Sequence, residues 1–134
     1  LSELKISGEN YLVILRNFKR EENRTPVVLS CEVFLSNTKN AHAKNIDISL
    51  QKLNQFQEEL IGFNENKETV VYLKTRNADF ELRLDRLSHE KLIKVQSFAI
   101  NEPKQKIMRV EFFTSSSESS ILEKQIADII NEFS

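Results

Sequence analysis

Hydrophobic and polar positions alternate with period 2 along much of the chain, and two stretches switch to a period near 3.6. In "ADFELRLDRL" the apolar Phe80, Leu82 and Leu84 fall on one side, and Asp79, Glu81, Arg83 and Asp85 on the other. That is the pattern of a half-buried β-strand. The same alternation predicts strands over Tyr11 to Phe18, Val27 to Ser36, Lys39 to Ser49, Thr69 to Thr75, Ala78 to Leu87, Lys91 to Ile100 and "KQKIMRVEFF". In Val27 to Ser36, the residues Val27, Leu29, Cys31, Val33 and Leu35 share a face.

The period changes in "SLQKLNQFQEELIGF", where Leu50, Leu53, Phe56, Leu60 and Ile61 recur at helical spacing. Ser49 or Asp47 supplies the N-cap and Gly62 a stop. A second helix starts in "SSSESS", with Ile121 or Leu122, then Ile126, Ile129, Ile130 and Phe133 as its stripe. Glu118 near its start suits the helix dipole. The expected order is βββαββββα. Strands in runs with short connections imply one antiparallel sheet of six to seven strands. Two helices, each with one apolar face, would cover one side of that sheet. No internal repeat is expected, and residues 1–134 form a single α+β domain.

Composition changes this picture little. The chain has 134 residues, 40% hydrophobic and 29% charged, which suits a folded domain with a sizeable core. Nine Phe and no Trp make Phe the main aromatic filler. Only two Gly and two Pro serve all the turns, so Asn, Asp and Ser must do most of that work, as in "SNTKNA", "FNENKE" and "KTRNAD". One cysteine allows no internal disulfide and favours a reducing compartment. No 18-residue apolar run predicts a membrane span, and no signal peptide is expected. The polar face of the last helix carries Glu118, Glu123, Asp128 and Glu132 against Lys124, the wrong sign for anionic lipid.

Candidate chemistry is sparse. Cys31 could form a nucleophilic pair with His42 or His89, but its neighbours Leu29 and Val33 mark it as a small core hydrophobe. The histidines, the cysteine and the carboxylates show no metal-ligand spacing, so no metal or cofactor is expected. Gly8 and Gly62 are too far apart for a phosphate-cradling loop. The Glu21–Glu22 and Glu58–Glu59 pairs read as solvated charge. "NRT" at Asn23 to Thr25 is a glycosylation triplet of consequence only in a secreted protein. A net charge of −1 argues against nucleic acid. The best segments for aromatic stacking, "MRVEFF" and "VVYLKTR", read as core packing with a polar outer face.

From the first helix onward, about 85 of the 134 residues, the layout resembles the WapI-type immunity proteins of bacterial contact-dependent and polymorphic toxin systems. "LQKLNQFQEELIGF" resembles that family's helix, "FELRLDRLSHEKLIKVQSFAI" its paired strands with His89 near a Gly-His step, and "KIMRVEFFTSSSESSILEKQIADIINEF" its closing strand, turn and helix. The resemblance implies a non-enzymatic, cytoplasmic bacterial protein, monomer or weak dimer, that binds and neutralises a cognate toxin C-terminal domain. A basic toxin, such as a nuclease, would be met by an acidic surface. Asp79, Glu81 and Asp85 on one strand, extended by Glu58, Glu59 and Glu65, are the expected contact residues. A secretion or assembly chaperone and a small ligand-binding domain are the alternatives.

Overall fold

The computed structural model describes residues 2–87, 91–101 and 106–134, with the side chains of residues 101 and 106 left aside. His89, and the Gly-His step it was matched to, lie outside the described residues. The chain folds as β1 (Leu4–Gly8), β2 (Tyr11–Arg20), β3 (Val28–Ser36), β4 (Ala41–Ser49), α1 (Leu50–Asn64), β5 (Val70–Lys74), β6 (Phe80–Arg86), β7 (Leu92–Asn101), β8 (Lys106–Ser115) and α2 (Ser116–Phe133).

The α+β class stands, but the single sheet does not. Strands β1 to β4 form one antiparallel meander and β5 to β8 a second, each of four strands and each followed by a helix. The unit ββββα therefore occurs twice, a structural repeat that the residue pattern did not disclose. The division falls at α1. Strand β4 runs straight into the helix through Ser49, so β5 starts on the far side of α1 and pairs with β6 instead of β4. The inner faces of both sheets and the apolar stripes of both helices share one core, which includes Leu15, Leu29, Val33 and Ile48 from the first sheet. The second sheet supplies Leu73, Phe80, Leu84, Val95 and Phe112, and the helices Leu53, Phe56, Leu60, Phe63, Ile126 and Ile129.

Strand β1 was not expected from the pattern. Its Leu4 and Ile6 are buried, and its pairing with β2 is closed by Glu9 and Asn10, with Asn10 at φ 65°. Asparagine tolerates that left-handed backbone better than most residues. Asn17, at φ 59°, marks a bulge in β2 where the register with β3 shifts between Arg16 and Lys19. The extra residue re-aims the strand, so Phe18 packs against the core although unbroken alternation would turn it outward. The β3–β4 turn is closed by Asn37, whose Oδ1 accepts from the Lys39 and Asn40 amides.

Ser49, not Asp47, caps α1: its Oγ accepts from the Lys52 amide at 3.1 Å. The helix runs past Gly62 to Asn64 and ends with the Lys67 amide donating to the Gly62 carbonyl. On α2, Leu122 is the buried member of the expected pair, and Ile121 is exposed. Among the described residues no helix is long and apolar enough to cross a membrane.

Candidate functional site

The outer face of the second sheet carries aromatic, acidic and basic side chains together. Antiparallel register sets its side chains in rows. Val70, Asp85, Lys94 and Phe113 form one, Tyr72, Arg83, Gln96 and Glu111 the next, and Lys74, Glu81, Phe98 and Arg109 the third. Period 2 dictates this placement, because the intervening residues Val71, Leu73, Leu82, Leu84, Val95 and Val110 are all committed to the core. Tyr72 is 47% exposed and Phe113 54%. They stand on the two edge strands, β5 and β8, one at each side of the face.

Charges on this face are balanced. Lys74 sits 3.8 Å from Glu81, Arg83 2.9 Å from Asp85, and Lys94 3.4 Å from Glu111. Arg83 makes a two-pronged contact, through Nε and Nη2, to Asp85. That hydrogen bond, and then the carboxylate's charge, holds the guanidinium above its ordinary pKa. Lys74 also lies over Tyr72 at 4.9 Å, and one further cation, Arg109, lies over Phe98 at 5.5 Å. Between the rows lies a depression of about 270 Å³ lined by Glu81, Arg83, Gln96, Phe98, Arg109 and Glu111.

The six acidic residues expected to form one patch are dispersed. Glu81 and Asp85 share this face, each beside a base. Asp79 turns away to a half-enclosed ion pair with Lys44, 3.4 Å away, their side chains 15% and 11% exposed. Lys44 also donates to the Ile100 carbonyl, so this cluster ties strand β4 of one sheet to the β6–β7 end of the other. Glu59 lines a small cleft with Tyr72 and Lys74, at the margin of the aromatic face. Glu58 is exposed on α1, and Glu65 is the C-cap of that helix, 3.5 Å from Lys67.

Tyr72, Phe98, Phe113 and Arg109 were missed as surface residues. The signal was present in "VVYLKTR" and "MRVEFF", since Tyr72, Arg109 and Phe113 have the parity of the polar positions rather than of the core.

Cys31 is 3% exposed between Leu29 and Val33, and burial, with a further contribution from Asp47, pushes its thiol up to about 12. A thiol so hard to ionise is a poor nucleophile. His42 is half-buried on β4, its Nε2 without a hydrogen-bond partner among the described residues. Among the described residues no group of three or more His, Cys, Asp or Glu is placed to hold a metal ion.

A second concavity, about 330 Å³, opens where the β2–β3 loop, the start of α1 and the β5–β6 turn meet. Arg24, Lys52, Lys74 and Arg76 border it, with Asp47 as its carboxylate.

No family model matches the chain, and no curated protein matches it. Among solved structures it is similar to MRP1/MRP2 of Trypanosoma bruciei, at 7% identity over 96% of this chain and 83% of that one, with a TM-score of 0.54. It also aligns with the plant transcriptional regulator PBF-2, at 7% identity over 93% and 77% of the two chains, with a TM-score of 0.48. The first similarity shows a shared fold and nothing finer, and the second is too slight to build on.

Proposed function

We propose that this protein is an immunity protein, which neutralises a cognate bacterial toxin domain by binding it through the outer face of β5 to β8, without chemistry of its own. The observation that carries the reading is that face. Exposed Tyr72 and Phe113, with Phe98 between Glu81 and Arg109, stand among four bases of which three are paired with carboxylates. Aromatic residues and Arg dominate the energetic centres of protein interfaces, and charged groups of both signs form their rims. The resemblance of residues 50–134 to the WapI-type immunity proteins supports the same reading and supplies the class of partner.

The acidic-patch version of this idea changes form. Four bases and three carboxylates occupy the face, so its field is mixed rather than negative. Recognition then rests on rings that become covered on binding and on matched ion pairs. Glu81 and Asp85 serve the orientation of Arg83 and Lys74 as well as the partner. Nucleic acid is disfavoured on the same ground, because three of the four bases already have a carboxylate beside them and would release few counterions.

The test is titration of the purified protein against the toxin domain encoded beside it, with toxin activity as the second readout. A 1:1 complex that abolishes activity is expected. Tyr72→Ala and Phe113→Ala should each weaken it by roughly 10- to 100-fold, the range of hot-spot truncations, with unchanged circular dichroism. Full protection by both variants, or no complex at micromolar concentrations, would remove the face from the account. A stable homodimer formed through the same face would favour the chaperone alternative.

A further inference from the structure

The cleft at the start of α1 lies apart from the toxin-binding face except at Lys74, which borders both. We infer that it is a binding site for a phosphate group carried on a small organic molecule. Three observations converge on that chemistry. The first is charge. Arg24, Lys52 and Arg76 border the cleft, and Lys74 reaches it while also facing Glu81 at 3.8 Å. Asp47 is the carboxylate there, and its contact with Arg24 is loose at 3.9 Å. Among the described residues Lys52 and Arg76 have no ion-pair partner. Like charges gathered in a concavity repel one another, and an anion entering it relieves that repulsion.

The second is the helix end that opens into the same cleft. The first turn of α1 contains no acidic residue, so its positive pole is not offset by its own sequence. The Leu50 amide donates to the Val27 carbonyl and the Lys52 amide to Ser49 Oγ. The Gln51 amide lies in the first turn of α1, where a helix offers its own amides no carbonyl, and Gln51 lines the cleft. A first-turn amide flanked by guanidinium and ammonium groups is a phosphate-binding arrangement.

The third is the apolar part of the lining. Pro26, Val28 and Ile48 contribute apolar surface, and the volume of about 330 Å³ lies within the range of small-molecule pockets. A sugar or base attached to the phosphate has an apolar wall to rest on, which a bare inorganic ion would not use.

The site is tested without any toxin, so it can fail while the immunity reading survives, and the reverse. The 15N-labelled protein is titrated with adenosine 5′-monophosphate, with ribose 5-phosphate and with an oligothymidylate lacking a terminal phosphate. Sodium chloride at matched ionic strength is the control. Both monoesters should shift the Gln51 and Lys52 amides in a saturable way, and chloride and the oligonucleotide should not. The K52Q/R76Q double variant should weaken the monoesters at least tenfold, and both side chains are exposed, so folding should be unaffected. Asp47→Asn should tighten them, because it removes the carboxylate from the cleft. Equal shifts with chloride, unchanged affinity in K52Q/R76Q, or tighter binding of the oligonucleotide than of the monoesters would each overturn the inference.

Discussion

Asn64 and Ser119 hold each other across the two helices. Ser119 Oγ donates to Asn64 Oδ1 at 2.7 Å, and Asn64 Nδ2 donates back to the Ser119 carbonyl at 3.1 Å and to Glu123 Oε1 at 2.9 Å. Ser119 is fully buried, so its hydroxyl depends on these partners and on the Ser116 carbonyl. The pair joins the end of α1 to the start of α2. It therefore couples the two ββββα halves at a point where apolar packing alone would not set the register.

Asn64→Ala should destabilise the protein by about 1–3 kcal/mol, because it leaves the buried Ser119 hydroxyl only the Ser116 carbonyl as acceptor and takes the amide donor from the Ser119 carbonyl. Ser119→Ala in the same background should cost little more, since the hydroxyl left with a single acceptor is then gone. Denaturant unfolding of the two single variants and the double variant measures the coupling. Additive losses would show that the two side chains act independently.

Gly8 lies under β8. A Cβ built there would sit 2.5 Å from Phe112 Cδ2 and 2.7 Å from the Phe113 carbonyl oxygen. Phe112 cannot easily yield, because its ring stacks on Tyr11 at 5.5 Å. Gly8→Ala should therefore destabilise by about 1–3 kcal/mol, the usual cost of overpacking. Thermal unfolding is the check, and a Tm equal to wild type would show that β8 moves aside freely.

Ala78 occupies the left-handed region at φ 60°, in the turn between β5 and β6. An alanine there carries roughly 1–2 kcal/mol of steric cost that glycine does not. Glycine gives back about 0.4–1 kcal/mol through the freer unfolded chain. Ala78→Gly should thus stabilise modestly, by about 0.8 kcal/mol at the middle of these figures, with a correspondingly higher denaturation midpoint. A lower midpoint would contradict it.

Stability should depend on Cys31 at high pH. The thiol ionises near its ordinary 9.0 in the unfolded chain and near 12 in the folded one. Between those values the unfolded chain binds fewer protons, so stability is lost as pH rises through 9.0. The slope from this one group is at most about 1.4 kcal/mol per pH unit, and below that window its contribution is flat. Cys31→Ala should remove that part of the slope between pH 9 and 11. In the native wild type, a thiol reagent at pH 8 should react only on unfolding.

The elements themselves were legible along the chain, for reasons particular residues make plain. Phe80, Leu82 and Leu84 alternate with charges, and all are buried in β6. Leu53, Phe56 and Leu60 keep helical spacing, and all are buried in α1. Strand β1 escaped because Leu4 and Ile6 are too few to make a pattern and gain their meaning only from pairing with Leu15 and Val13. Part of the candidate surface was legible too. Glu81, Arg83 and Asp85 were placed outward correctly, but their partners Lys74 and Tyr72 come from another strand, and alternation within one strand is silent about its neighbours.

What the residues determined alone is local: which side of each strand is apolar, where the period changes, and where Asn and Ser bend or cap the chain. Those choices follow from sterics and side-chain chemistry within a few residues. What the tertiary structure decided is everything that depends on residues far apart in sequence. It split the strands into two sheets around one core, turned Asp79 inward to Lys44, neutralised an apparently acidic strand, and gathered Arg24, Lys52 and Arg76 into one cleft. A single period-2 stripe encodes burial but not the identity of what buries it, and charge in a list of residues has no position until the strands are paired.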